Sequence, residues 1–477
     1  MVLSDGFLVL PLLIAVLYAS VETVSDVYSR KNYQRKIDVD SNVQQPWRGQ
    51  TTLIFALLAV SLGLGNVLRL PYIIGEQGGG AFLLVYVAVL TLVVSPVLIA
   101  ELTLGSLGRS SPMGSIQWVA SLAGRDTRWR WIGALQAILA LSIASLMMVP
   151  AVLGAEASFY LYRGDWDAAS ANDIIDTLSG IDSADHLRVL GVLVALVIVA
   201  ALPGPQVVLF LAGWVILPLI LLMMYAGLGF AFDVGDIAAA NEWIFKYRPE
   251  QLTEAGIFSA ALAALSSLGA GVGVGLVFGS RSPEGLPLVR SVIAVAILDT
   301  AFMLVLAIII VAVTAAVDVE MVQGLALLVV SIPYATANLP TGELFGLVIM
   351  MSILLATVAA LIALIEPMVS ILRREFDVPR LLAMMIVALV LWVSGALMMS
   401  EPLARQTIDT WLVPVLVPFV LGVTALFAVW RVPRPILRGE KYREPFAVFY
   451  VWYVIARWLT PVFCFTLSVL ALLRLVL

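Results

Sequence analysis

Charge is scarce in this chain: Asp, Glu, Lys and Arg make up 12% of its 477 residues, against 62% hydrophobic ones. A mean hydropathy of +1.04 over that length excludes a soluble globular domain and leaves a polytopic membrane protein. Cysteine and histidine are nearly missing as well. The one cysteine, Cys464, lies inside an apolar span and excludes an intramolecular disulfide. The one histidine, His186, is placed in a loop, so no His/Cys metal site can be assembled, and both residues read as structural. The triple glycine Gly78-Gly79-Gly80 lacks the Gly-Lys-Ser/Thr context of a phosphate loop, and no nucleotide-binding domain follows it. No nucleophile–base pair stands out. These absences argue against an ATP-driven pump, an enzyme or a nucleic-acid partner and leave the lipid bilayer and a small-molecule solute.

What charge there is has a pattern. Lys and Arg cluster at Arg30–Lys36, Arg109–Arg130, Arg281–Arg290, Arg373–Arg380 and Arg431–Arg443, whereas acidic residues dominate Asp165–Asp185 and Asp233–Glu242. The positive-inside rule makes the first set cytoplasmic and the second external, in a plasma (bacterial inner) membrane. A leading apolar segment, Gly6–Ser20, lacks a basic start and is followed by Arg30, Lys31, Arg35 and Lys36. That order predicts a retained helix with its N-terminus outside, an added element suited to docking a membrane partner. The remaining spans predict an all-α architecture: residues 50–74, 80–107, 131–160, 188–202 and 207–230, then 255–279, 290–316, 344–372, 381–399 and 410–430, and a last span, 446–477, ending outside. Five core spans on each side of an external divider force the halves to run oppositely through the membrane, an inverted repeat. The expected organisation is an extra helix and linker (1–45), a first repeat (46–230), an external connector (231–254), a second repeat (255–432) and a loop with an eleventh core helix (433–477).

Two short stretches repeat each other across the halves: Ser61-Leu62-Gly63-Leu64-Gly65 and Ser267-Leu268-Gly269-Ala270-Gly271. Paired glycines in mid-span weaken a helix and free backbone groups that lipid cannot satisfy, so each break must be buried or line a polar cavity. Matching Gly interruptions in two halves point to the binding site of a secondary transporter. Close helix packing through small residues is the plainer alternative for either motif alone. Glu101, Asp299 and Glu366 sit within apolar runs, where a charge costs about 2.5–3.5 kcal/mol and needs a polar interior or a partner. Glu101 is expected to accept hydrogen bonds from N–H groups freed at a break, a structural role. Asp299 reads first as a cation ligand, with proton carrier and partner of a buried dipole as its rivals, because Asn66, Ser61, Ser267 and broken-helix carbonyls offer hard oxygens at corresponding depths. Arg69 and Asp409, near external span ends, are expected to pair as a gate, with snorkelling interface charges as the alternative.

Trp47, Gly63-Leu64-Gly65-Asn66, Arg69, Pro71 and Glu76-Gln77-Gly78-Gly79-Gly80-Ala81-Phe82 resemble the neurotransmitter:sodium symporter family. Tyr86, Pro96, Glu101, the second glycine motif, Phe278-Gly279-Ser280, Glu366-Pro367-Met368 and Asp409 with Trp411 add to the resemblance, which runs from about Pro46 to the C-terminus. It implies a LeuT-like 5+5 inverted repeat with discontinuous first and sixth core helices. It also implies a substrate pocket at Ser61, Gly63, Leu64, Gly65, Ile143, Met147, Ser266, Gly269, Val272, Ala360 and Leu364. A first sodium site would use Ser61, Asn66, Ser267 and Asp299, the last in place of the family's usual Asn.

Several family side chains are missing. The second sodium site, at Ala59, Leu62, Ala356, Ala359 and Ala360, lacks its Thr-Ser pair and is expected to be degenerate. The chloride site keeps Tyr86 and Ser267 but has Ala263 and Met303 elsewhere, so no chloride is expected. The carboxylate-clamping tyrosine aligns near Met147, which makes the pocket aliphatic. Gln44 and Arg374 replace the cytoplasmic gate, leaving Arg374 to meet Asp38 or Asp40. The resulting expectation is a symporter for an amino acid or related hydrophobic amine-type solute, driven by about one sodium ion. The alternatives are proton coupling through Asp299, or a transport-deficient homologue acting as solute sensor or partner subunit.

Overall fold

The structure is a computed structural model that describes residues 49–283, 285–317, 323–438 and 444–476. The expected leading helix and linker, with Asp38, Asp40, Gln44 and Trp47, lie outside the described residues, as do the side chains of residues 64–68. Among the described residues the fold is helical throughout, apart from one isolated antiparallel bridge between Gly79 and Tyr247. The helices are α1 (Gln50–Ser61), α2 (Leu64–Glu76), α3 (Gly80–Gly108), α4 (Pro112–Leu122), α5 (Trp131–Arg163), α6 (Ala171–Ser179), α7 (Ser183–Ala201), α8 (205–234), α9 (Ile237–Phe245), α10 (Glu254–Leu265), α11 (Val274–Ser280), α12 (Leu288–Ala315), α13 (Leu327–Ala337), α14 (Gly342–Glu375), α15 (Arg380–Ser400), α16 (Pro402–Arg431) and α17 (Phe446–Leu475).

Nine of these are long and apolar enough to cross a membrane by themselves. The pairs α1/α2 and α10/α11 supply two further crossings, each made of two short helices separated by a glycine motif. Burial sorts the helices. In α14 and α5, 78% and 67% of the span is buried, so these two form the centre, while α7, at 28%, lies at the rim. On the rim, large side chains such as Leu222, Tyr225, Ile297 and Val462 face outward, which lipid solvates and water would not.

Proline shapes many of the long spans. Widened π-helical turns occur at Leu90–Val94, Ala212–Ile216, Leu327–Ser331, Leu412–Leu416 and Ile455–Leu459. Each ends two residues before a proline: Pro96, Pro218, Pro333, Pro418 and Pro461. A proline lacks its N–H and its ring collides with the carbonyl four residues back, and a widened turn relieves that collision without ending the helix.

One placement differs from the sequence expectation. Helix α7 begins at Ser183, not Arg188, so His186 stands on its first turn and not in a loop. There its Nδ1 is 2.7 Å from Oε1 of Glu156 on α5. A charged turn that projects past the apolar run keeps its helical hydrogen bonds, so hydropathy alone sets the boundary too late.

Candidate functional site at the two helix breaks

The two glycine motifs break their helices in different ways. Between α1 and α2 only Leu62 and Gly63 leave the helix, and Gly63 is extended (φ −66°, ψ 157°). Gly65 already lies inside α2. Close approach explains the glycine at 63, since a Cβ there would meet Cε of Met147 at 3.3 Å and Cβ of Ala360 at 3.7 Å. The second break is longer, running from Ser266 to Gly273 between α10 and α11. It needs left-handed backbone at Leu268 (φ 56°), Gly269 (φ 61°), Gly271 (φ 78°) and Gly273 (φ 75°). Glycine takes that conformation freely and leucine does not, so Leu268 is a strained residue at the centre of the motif.

Glu101 holds the second break together. Fully buried on α3, its Oε1 accepts the Gly271 N–H at 3.0 Å and the Gln136 side-chain amide at 2.7 Å. Gln136 Nε2 also donates to Thr424 Oγ1 at 2.8 Å, tying α3, α5, α16 and the break into one network. Neighbouring glycines let the backbones approach: a Cβ on Gly105 would lie 2.3 Å from Leu276 O, and one on Gly279 would lie 2.2 Å from Leu102 O. Sequence reading pointed to Glu101 and the break but missed Gln136, whose signal was an amide inside an otherwise apolar span.

Asp299, on α12, is 2% exposed and has no ion-pair partner among the described residues. Ser267 Oγ donates to its Oδ2 at 2.7 Å, and the Ser61 hydroxyl, which donates to Leu58 O at 2.9 Å, interacts with the same carboxyl. The buried Tyr86 hydroxyl lies near these side chains without a hydrogen-bond partner of its own. A cavity of about 30 Å³ opens beside the carboxyl, lined in part by Ser61, Gly63, Asp299, Met303, Ser352 and Ala356. That volume suits one or two water-sized occupants. The side-chain oxygens here are a carboxylate and hydroxyls, hard donors that fit a hard monovalent cation.

At the expected second sodium site, Ala59, Leu62, Ala356, Ala359 and Ala360 carry no side-chain oxygen. Ala59, Ala359 and Ala360 are buried, and the neighbouring Thr357 hydroxyl donates to Ile353 O at 2.8 Å. Among the expected pocket residues, Gly63, Met147 and Ala360 come together, and Gly269 lies against Val60. Val272 and Leu364 are buried and Ile143 is half-buried, whereas Ser266 is exposed with its hydroxyl on Leu262 O. Arg69 and Asp409 meet at 2.5 Å, with side chains 45% and 38% exposed.

At the opposite end of the bundle, Glu366 on α14 is buried and paired with Arg380 at 2.5 Å, which also donates to Ala201 O and Leu202 O. Arg374 donates to Arg109 O at 3.1 Å; its expected partners Asp38 and Asp40 lie outside the described residues. Arg281 faces the same cluster, and burial lowers its pKa to about 10, against the opposing pull of Glu366. It remains charged at neutral pH.

Residues 44–164 match the sequence model of the Sodium:neurotransmitter symporter family. An uncharacterized sodium-dependent transporter of Methanocaldococcus jannaschii is 23% identical over 84% of this chain and 84% of its own length. Another from Bacillus subtilis is 22% identical over 87% of this chain and 95% of its own. The mouse sodium-dependent neutral amino acid transporter B(0)AT2 is 31% identical over 22% of this chain and 14% of its own. The crystal structure of MhsT in complex with L-phenylalanine superposes with a TM-score of 0.77, covering 90% of this chain and 99% of that one at 22% identity. That likeness establishes the LeuT-like fold. The family consists of transporters and not enzymes. By its first-helix motif, its pair of broken helices and these matches, the chain is similar to members of the sodium:neurotransmitter symporter family, with the family model matching its first quarter and the fold shared along most of its length.

Proposed function

We propose that the protein is a secondary active symporter that imports an amino acid or related hydrophobic amine-type solute together with about one sodium ion bound at Asp299. One observation carries the proposal: Asp299 is buried between the two breaks with hydroxyl neighbours, a small cavity and, among the described residues, no basic partner. A carboxylate taken out of water and left unpaired is destabilising by several kcal/mol, so the site calls for a cation or a proton. Carbonyls at the break and, by resemblance, Asn66 would complete a sodium shell there. The family's second sodium site has no counterpart hydroxyls, which supports a stoichiometry nearer one than two. The negative charge of Asp299 also offers the compensation that a bound chloride gives elsewhere in the family.

The rest of the arrangement suits alternating access. By the positive-inside rule, the end carrying Arg69 and Asp409 faces outward and the arginine-rich end carrying Arg281, Arg374 and Arg380 faces the cytoplasm. An exposed ion pair such as Arg69–Asp409 contributes about 0–1 kcal/mol, so its value lies in closing the outer path and not in stability. The aliphatic surroundings of Met147, Ala360 and Leu364 favour an apolar solute side chain.

A second reading rests on the same carboxyl. A proton neutralises a buried aspartate as well as sodium does, and proton coupling would leave the cavity to water. Uptake into proteoliposomes under separately imposed sodium and proton gradients decides between them. A sodium gradient alone drives accumulation in the first reading, and a proton gradient alone in the second. Ligand binding without uptake under either gradient would favour a sensor or partner subunit.

A further inference from the structure

The triple glycine Gly78-Gly79-Gly80 forms no phosphate loop; it is the socket for a strap. Residues 236–252, which include α9, leave the end of α12 through an Asp236 N–H bond to Ala312 O at 2.9 Å. The strap then crosses the junction between α2 and α3. Gly80 N–H donates to Lys246 O at 3.1 Å, Arg248 N–H donates to Gly78 O at 3.2 Å, and Gly79 bridges Tyr247. No other residue fits here: a Cβ on Gly78, Gly79 or Gly80 would stand 2.4, 2.4 or 2.8 Å from a strap carbonyl. Gly78 and Gly79 are also left-handed, with φ of 92° and 57°. At its far end the strap meets Thr253, which caps α10 through Gly256 N–H at 3.0 Å and donates to Gln77 Oε1 at 2.7 Å.

The strap grips α2 through Trp243. Proline at 71 disturbs the regular hydrogen bonding of α2, and the indole N–H of Trp243 donates to Pro71 O at 3.0 Å. The ring lies flat against Gly75, where a Cβ would come within 1.9 Å of it. Arg248 Nη2 donates both to Gly75 O and to Trp243 O at 3.2 Å, locking strap and helix together. Arg69 stands two residues before Pro71 and reaches Asp409 on α16. Among the described residues no hydrogen bond or ion pair joins the strap to α16, so the strap holds only the Arg69 side of that contact.

We infer that Trp243 is a positioning residue for the Arg69–Asp409 gate: by clamping Pro71 O and the face of Gly75, it sets the rotation and height at which α2 presents Arg69 to Asp409. The geometry is independent of the cargo, but its meaning as a gate rests on the transporter reading above. Trp243 touches neither the cavity nor Asp299; it acts through α2.

The test uses the full chain with Cys464→Ala and spin labels on cysteines at the exposed positions Glu76 and Gln406, one on each side of the gate. Distances are measured without solute, so the outcome does not depend on whether the protein transports. The parent gives one short, narrow distance. Trp243→Phe keeps the ring against Gly75 and removes the N–H, and it should raise the population of a longer distance about fivefold, the effect of one hydrogen bond. Arg69→Ala should produce the same longer distance, and Trp243→Phe combined with Arg69→Ala should add nothing to it. A parental distribution in Trp243→Phe overturns the inference, as does an additive effect in the combination. Gly75→Ala provides a second route: it should open the gate when Trp243 is present and have no effect alongside Trp243→Ala, whereas equal effects in both backgrounds contradict the clamp. Failure of sodium-driven uptake in the parent would count against the transporter reading alone.

Discussion

Replacing Asp299 with Asn tests the chemistry of the site with little change of shape. Sodium about 2.4 Å from a carboxylate oxygen is attracted by roughly 7 kcal/mol at an effective dielectric constant of 20. The carboxylate's own desolvation offsets several kcal/mol of this. A net loss of about 1.5–3 kcal/mol is left for an amide that keeps the oxygen but not the charge, comparable to a hydrogen bond to a charged group. This corresponds to a half-saturating sodium concentration about 10- to 150-fold higher. The site's burial gives a second readout. Because Asp299 has no cationic partner among the described residues, Asp299→Asn removes a buried charge, so in sodium-free buffer the variant should melt at or above the parent temperature. The parent should gain stability as sodium rises, by about 2.7 kcal/mol at a hundred times its dissociation constant, and the variant should gain far less over the same range. Sodium-titrated thermal unfolding in detergent measures both effects. Uptake by the variant should either cease or come to require chloride. Parental sodium dependence in the variant, together with unchanged chloride-free uptake, would refute the reasoning.

Other perturbations separate structure from coupling. Glu101→Ala leaves the Gly271 N–H and the Gln136 amide without their shared acceptor, and should destabilise the fold by about 2–5 kcal/mol in a melting assay, while Glu101→Gln, which keeps an acceptor oxygen, should cost less. Arg69→Ala and Asp409→Ala should change stability by about 1 kcal/mol or less yet strongly impair concentrative uptake, and the charge-reversed pair Arg69→Asp with Asp409→Arg should restore part of it. Ala359→Thr with Ala360→Ser returns two hydroxyls to the second site, and should raise the Hill coefficient for sodium from about one toward two, at some packing cost because both positions are buried. Removing Arg380 takes the paired cation from buried Glu366 and leaves it only the nearby Arg281 charge, and should cost up to about 3–5 kcal/mol, more than removing both partners together.

Much of the fold was legible because lipid enforces simple rules. Length and hydropathy mark the spans, and the two Gly motifs mark the broken helices, since no lipid-facing helix tolerates such interruptions without a reason. Asp299, Ser267 and Ser61 could be associated before any coordinates because polar groups at matching depths in an apolar chain have few other partners. Other features were hidden because they depend on packing between distant segments. The two Ser-Leu-Gly-X-Gly motifs look equivalent, yet one interrupts its helix over two residues and the other over eight, from Ser266 to Gly273. In the longer break the Gly271 N–H is bonded by Glu101, a contact with another element that sequence does not display. Trp243 carried no sequence signal, since its partner is a backbone carbonyl. The pairing of His186 with Glu156 was missed because hydropathy placed the start of α7 five residues too late.

The central claim is that a sodium ion at Asp299 couples to solute movement. Purified protein in sealed proteoliposomes, given an inward sodium gradient with pH and potential clamped, should accumulate a hydrophobic amino acid with a sodium-to-solute flux ratio near one. The Asp299→Asn variant should lose that accumulation. Accumulation driven by a proton gradient with no sodium present, or a flux ratio of two, would contradict the account.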